Sequence, residues 1–141
     1  MSLREDFAKD IVDVLKNMDD PRPGLVTREP FDVEKLAITQ FPAILVSSGD
    51  EERLDYSMGI TRQGNIFYLI RAFVRGNEID RLRNDICERI EETLDADRTR
   101  GTTTKSMTTQ VTRVQVIDRL SPLGEINMTV QVRYKYTKGT N

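Results

Sequence analysis

Three consecutive carboxylates, Asp50, Glu51 and Glu52, close the stretch QFPAILVSSGDEE, residues 40–52. Acidic side chains at the end of a buried strand are the type that ligates hard cations or moves protons in acid–base catalysis. With Asp55 they form the dense acidic cluster that an enzyme using carboxylates alone would need. Sequence spacing fixes no second acidic cluster, histidine or basic partner beside them. SSGDEE also holds the small and acidic residues that hairpin turns prefer. The expected role of these carboxylates is therefore to crown a solvated turn; a cation site and a protein-contact loop are the alternatives.

Other chemistry is constrained by composition. The chain has no histidine, which removes His–Asp–Ser and Cys–His nucleophile pairs and most zinc sites. The single cysteine, Cys87, cannot form an intramolecular disulfide and sits beside an apolar stripe, so packing is its expected role and a reducing compartment its expected setting. No GxxxxGK[ST], GxGxxG or GxSxG pattern occurs, and no helix start follows Ser47–Ser48–Gly49. DADRTRG, from Asp95, has the outline of a calcium loop, but its glycine comes one place late and Ser106 stands where a bidentate glutamate is needed. These observations predict no catalytic residues, no cofactor and no metal. A formal net charge of −2 argues against a protein built to grip phosphates, so no specific nucleic-acid binding is expected. MSLREDFAKD has no apolar signal core, and no run approaches the roughly 20 apolar residues that span a bilayer. The expectation is a soluble, unexported chain.

The 141 residues suit one domain, 1–141, able to bury a core without staples. Leu3, Phe7, Ile11, Val14, Leu15 and Met18 recur on one face of an opening helix, with Ser2 and Glu5 as a capping box, and DDPRPG ends it. LVTREPF suits a short edge strand, and a helical turn is expected near Asp32. Strands are predicted at Ala43–Ser48, Glu52–Met58 and Asn65–Arg75. After Gly76, Asn77 is the expected cap of a second helix with Ile79, Leu82, Ile86, Ile90 and Leu94 at helical spacing. Val111–Asp118 and Glu125–Thr137 are the closing strands, the last alternating strictly from Ile126 to Tyr136. The fold class is α+β: a two-layer domain with a mainly antiparallel or mixed sheet and two main helices on one face.

Two regions suggest contacts beyond one subunit. Arg71 and Arg75 share a strand face with Phe67, Leu69 and Phe73, while Ile66, Tyr68, Ile70, Ala72 and Val74 fill the other. Such a strand is either central in a two-sided core or covered by another subunit. Asp95–Gln110 is long, polar and threonine-rich, and Arg98, Arg100 and Lys105 make it basic in an acidic protein. It buries little apolar surface, so it is expected to be mobile in a free subunit, with its cations directed either to solvent or to an acidic partner surface.

Several stretches, in the same order along most of the chain, resemble the tail terminator proteins of long-tailed bacteriophages, also called minor tail or tail-completion proteins. They are DIVDVLKNM, EPFDVEKLAITQFPAILVSSGDEE, FVRGNEIDRLRNDICERIEETL and DRLSPLGEINMTVQVRYKY. The resemblance implies a small α/β domain without catalytic residues that forms a homo-oligomeric, typically hexameric ring. Such a ring caps the tail tube, ends its polymerisation and offers a surface to the neck or connector, with the sheath a further possible neighbour. The implied location is the virion, at the tail–neck junction, and the host cytoplasm during assembly. A closed ring needs two different complementary patches per subunit. The acidic Asp50–Glu52 and the basic Arg98–Lys105 are candidates for that pair, with Arg71 and Arg75 as further candidate interface residues. A neck or head-completion connector and a non-viral ligand-binding module are the alternative readings.

Overall fold

The computed structural model describes residues 3–54, 61–98, 100 and 106–137. Helix α1 (Leu3–Lys16) buries Leu3, Phe7, Ala8, Ile11, Val12 and Leu15, the face its periodicity predicts. Strand β1 (Leu25–Thr27) and two 3-10 turns (Val33–Lys35 and Ile38–Gln40) lead into β2 (Ala43–Leu54). Asp32 caps the first of these turns, accepting from the Glu34 amide at 3.1 Å. Strand β3 (Thr61–Arg75), helix α2 (Ile79–Ala96), β4 (Ser106–Asp118) and β5 (Leu123–Thr137) complete the chain. Glu78, not Asn77, precedes the first turn of α2, and its side chain makes no capping hydrogen bond.

The five strands form one sheet in the order β1-β2-β3-β5-β4. β1 runs parallel to β2, and every other pair is antiparallel. Both helices pack on one face, so the domain is the predicted two-layer α+β arrangement with a mixed sheet. Between helices and sheet lie Phe7, Ile11, Leu15, Ile44, Ile66, Ile70, Ile86, Ile90 and Met128, all buried. Each such side chain contributes about 1.5–3 kcal/mol on leaving water. Ile126, Met128, Val130, Val132 and Tyr134 are all buried, so the alternation of the last strand reports its inward face correctly.

The opposite face of the sheet carries a smaller core. Val33, Ala43, Leu45 and Phe73 are buried there beneath Phe31, Leu36 and Phe41, and the Phe31 and Phe73 rings meet edge to face at 5.5 Å. The chain's own segment before β2 thus covers one end of the doubly apolar strand. Phe67 and Leu69, further along β3, are half-buried.

Two expectations need correction. The predicted turn at SSGDEE and the break between Ala43–Ser48 and Glu52–Met58 do not exist: Ala43–Leu54 is one continuous strand. The remainder of the predicted strand, 55–58, lies outside the described residues. Asp95–Gln110 is also not one long loop, because α2 continues to Ala96 and β4 begins at Ser106. Among the described residues, no helix is long and apolar enough to cross a membrane.

Candidate functional site

The carboxylates of β2 are sorted by a β-bulge. Between the pairs Ser48–Tyr68 and Glu51–Ile66, β2 places Gly49 and Asp50 against a single residue of β3. One extra residue reverses which side chain points inward. Asp50 would take the inward place in a regular ladder; the bulge gives it to Glu51 and leaves Asp50 and Glu52 exposed.

Glu51, with 12% of its side chain exposed, then accepts from three donors. The Tyr134 hydroxyl donates at 2.7 Å, Arg53 Nε at 3.0 Å and Arg4 Nη1 at 3.3 Å. Burial alone would raise the Glu51 carboxyl, but the hydrogen bonds from Tyr134, Arg53 and Arg4 outweigh it and hold the group below the ordinary glutamate range. The guanidinium of Arg4 also donates to the Gly49 carbonyl at 2.7 Å, pinning the bulge to the first turn of α1. Tyr68 donates to the Arg4 carbonyl at 2.8 Å, and burial pushes its hydroxyl well above the ordinary tyrosine range. Next to this network, Arg28 grips Glu5 with two hydrogen bonds, of 2.6 and 3.0 Å. A carboxylate with three donors already on it serves the arrangement as a hub tying β2, β5 and α1 together.

Gly64 makes the hub possible. It lies between Arg53 of β2 and Tyr134 of β5 in the sheet, and the tyrosine crosses it to reach Glu51. A Cβ at this position would sit 2.4 Å from the Glu52 carbonyl oxygen and 2.8 Å from the Tyr134 hydroxyl. Backbone cannot yield as a side-chain tip does, so Gly64→Ala should destabilise the fold by about 1–3 kcal/mol. Chemical denaturation checks this; a variant as stable as wild type would show that Tyr134 does not need the crossing.

The other sequence-predicted site residues are dispersed. Arg71 Nε donates to Glu125 at 3.0 Å, and Arg119 Nη1 donates to the same carboxylate at 2.7 Å. Both guanidinium groups lie over the Phe73 ring, at 5.2 and 5.5 Å from its centroid. Glu125 is 2% exposed, so this clamp is internal to the subunit. Arg75 is exposed. Arg98 is exposed and within 3.4 Å of Asp95. Arg100, grouped on sequence with the surface cations, is instead buried against Asp10, Thr109 and the end of α2. Lys105 lies outside the described residues. Burial and then the nearby Glu91 and Glu88 raise the Cys87 thiol, as suits a packing cysteine. Among the described residues, no group of three or more His, Cys, Asp or Glu side chains is placed to hold a metal ion.

Sequence reasoning missed two surface features. The first is a groove with about 470 Å³ of space beside α2, whose apolar lining is Ile38, Phe41, Pro42, Val74 and Leu82. Asp20, Asp85, Glu88 and Glu92 line its rim together with Arg75 and Arg89. Four separate segments build it, so no local pattern announces it. The second is the margin of edge strand β4, where Val114, Val116 and the following Leu120 are 46, 55 and 85% exposed. Its signal was legible: Leu120 is a large apolar residue inside the polar turn DRLSPLG.

Comparison with known proteins adds a fold relationship. No protein-family profile matches the chain, and no curated protein matches it. A chain of the solved structure described as the virion of a native gene transfer agent (GTA) particle superposes with a TM-score of 0.54. The match covers 96% of each chain at 11% sequence identity, so the two share a fold throughout their lengths.

Proposed function

We propose that this chain is a structural component of a phage-like virion, forming a ring that caps the tail tube, ends its polymerisation and presents a surface to the neck. The observation that carries this reading is the end-to-end fold match to a chain of a gene transfer agent virion particle. The tail-terminator resemblance of the segments from DIVDVLKNM to the closing strand narrows it to the tail end. In this role the chain performs no catalysis; Glu51 and Glu125 are internal fasteners, each held by two guanidinium groups. Of the candidate interface residues, Asp50, Glu52, Arg75 and Arg98 keep exposed side chains for contacts with neighbours. The partners are further copies of the chain, the tube protein, and the neck protein, with the sheath where one exists.

Light scattering coupled to gel filtration, over a range of concentrations and salts, should show concentration-dependent self-association. Pull-down with isolated tail tubes should retain the chain. A strict monomer that also fails to bind tubes would sink the proposal.

A further inference from the structure

We infer that neighbouring copies join edge to edge, β4 of one copy pairing antiparallel with the open stretch of β2, residues 46–54, of the next, so that one sheet continues from copy to copy. This rests on the ring reading above and names the surfaces that build the ring. Among the described strands, the sheet is open on both margins. β4 pairs with β5 alone. On the far margin, β1 covers β2 only from Ala43 to Leu45, which leaves residues 46–54 paired with β3 alone. Unpaired backbone N–H and C=O groups along an edge are a template for one kind of occupant, another strand.

The β4 edge is poorly guarded. From Ser106 to Ile117 it holds one charge, Arg113, and no lysine or proline, the residues that commonly block an edge. Residues 112–116 are all exposed, whichever face they point to. From Arg113 to Asp118 the ladder to β5 is unbroken, so this stretch keeps a regular outer edge. Asp118, at its end, is already engaged by Arg83 at 3.2 Å. On β2, Arg4 takes the Gly49 carbonyl, so pairing with a new strand runs on either side of the bulge.

Direction, coverage and charge favour a second copy as the occupant. Strand direction reverses at each step from β2 through β3 and β5 to β4, so the next copy's β2, laid beside β4, completes an antiparallel pair. Val114 and Val116 lie opposite Met128 and Ile126, on the helix face, yet stay 46 and 55% exposed. Helix α2 lies over β3 and β5, whereas α1 lies over β1 and β2. The edge-to-edge join therefore brings the next copy's α1 to the uncovered side of those valines. Arg113, beside Val114, and Glu52, beside the inward Glu51, both belong to the sheet face away from the helices. Both are exposed and make no ion pair among the described residues. Opposite charges facing each other across two strands stabilise the pairing. Two β4 edges joined to each other would leave the valines of both copies uncovered and gain no such charge pair. Contact between two different edges is heterologous and propagates until it closes.

The test is hydrogen exchange on wild-type chain, dilute and assembled, with two charge variants in sedimentation velocity. Assembly should slow exchange in both residues 112–116 and residues 46–54. Arg113→Glu and Glu52→Arg, with thermal melts to confirm folding, should each weaken self-association roughly tenfold by setting like charges face to face. Their equimolar mixture should recover it, because every seam then joins a glutamate to an arginine. Assembled wild type in which neither stretch gains protection overturns this surface assignment and leaves the ring reading standing. Protection gained on β4 alone would indicate paired β4 edges and also overturn it, as would a mixture no tighter than either variant by itself. Wild-type chain that neither self-associates nor binds tubes removes the ring reading itself.

Discussion

Arg100→Ser is expected to destabilise the domain by about 2–4 kcal/mol, with a fall in Tm on the order of 10 °C. The Arg100 side chain is 0% exposed and works at the open end of α2. Its Nη2 donates to the Leu94 carbonyl at 2.8 Å and to the Asp97 carbonyl, and its Nε donates to Thr109 Oγ1 at 3.0 Å. The last helical carbonyls have no partner within a helix, and the last turn of α2 contains no basic residue. Arg100 supplies both the donors and the positive charge from outside. Its Nη1 lies 3.1 Å from Asp10, joining the end of α2 to α1. Burial raises the Asp10 carboxyl above the ordinary aspartate range, partly countered by Arg100.

A folded-state pKa above the unfolded one means that the folded chain holds more protons. Asp10 therefore contributes most to stability below the unfolded pKa, and the contribution is lost as pH rises through the folded value. Without Arg100 that value climbs further, so the variant's deficit should be largest at neutral pH and shrink on acidification. Urea melts at neutral and mildly acidic pH check this. Arg100→Lys should recover only part of the loss, keeping the charge but not the forked donors. Arg98→Ser, which removes an exposed partner of Asp95, should stay within about 0.5 kcal/mol of wild type. Equal effects at positions 98 and 100 would contradict the buried placement.

Glu51→Ala should cost about 1–3 kcal/mol, because it removes the half-buried acceptor shared by the Tyr134 hydroxyl, Arg53 and Arg4. Asp50→Ala, one residue away and exposed, should be nearly neutral. The contrast reads out the bulge directly, since a regular strand would exchange the two outcomes. The pH signature is opposite in sign to that of Asp10. With its carboxyl held below the ordinary value of 4.5, Glu51 stabilises the fold above that pH. The contribution is lost as pH falls through the lower, folded value. Glu51→Gln should remove this acid-side loss while keeping the side chain's length. Denaturation midpoints across the acid range decide it; the same acid slope in Glu51→Gln and wild type would assign the titration elsewhere.

Both helices and the last strand were legible because their apolar period is local: Phe7, Ile11 and Leu15 in α1, Ile86, Ile90 and Leu94 in α2, Ile126 to Tyr134 in β5. SSGDEE misled because its turn preference is also local, whereas what overrides it is not. The Glu51 partners Arg4 and Tyr134 lie 47 and 83 positions away. Arg53 stands two residues on, but only a strand places positions 51 and 53 on one face. The start of β4 was placed late because Ser106, Thr108, Thr109 and Gln110 are polar, leaving no apolar alternation to read there. Arg100 looked like a surface cation for a related reason. Its residue type says charge, and only the convergence of α1, the end of α2 and Thr109 makes it an internal fastener.

The central claim is tested most directly by polymerising the tube protein of the same particle with and without this chain and measuring tubes by electron microscopy. The account predicts shorter tubes of bounded length, each with ring density at one end. Tubes of unchanged length, with no density at either end at saturating chain, would contradict the claim.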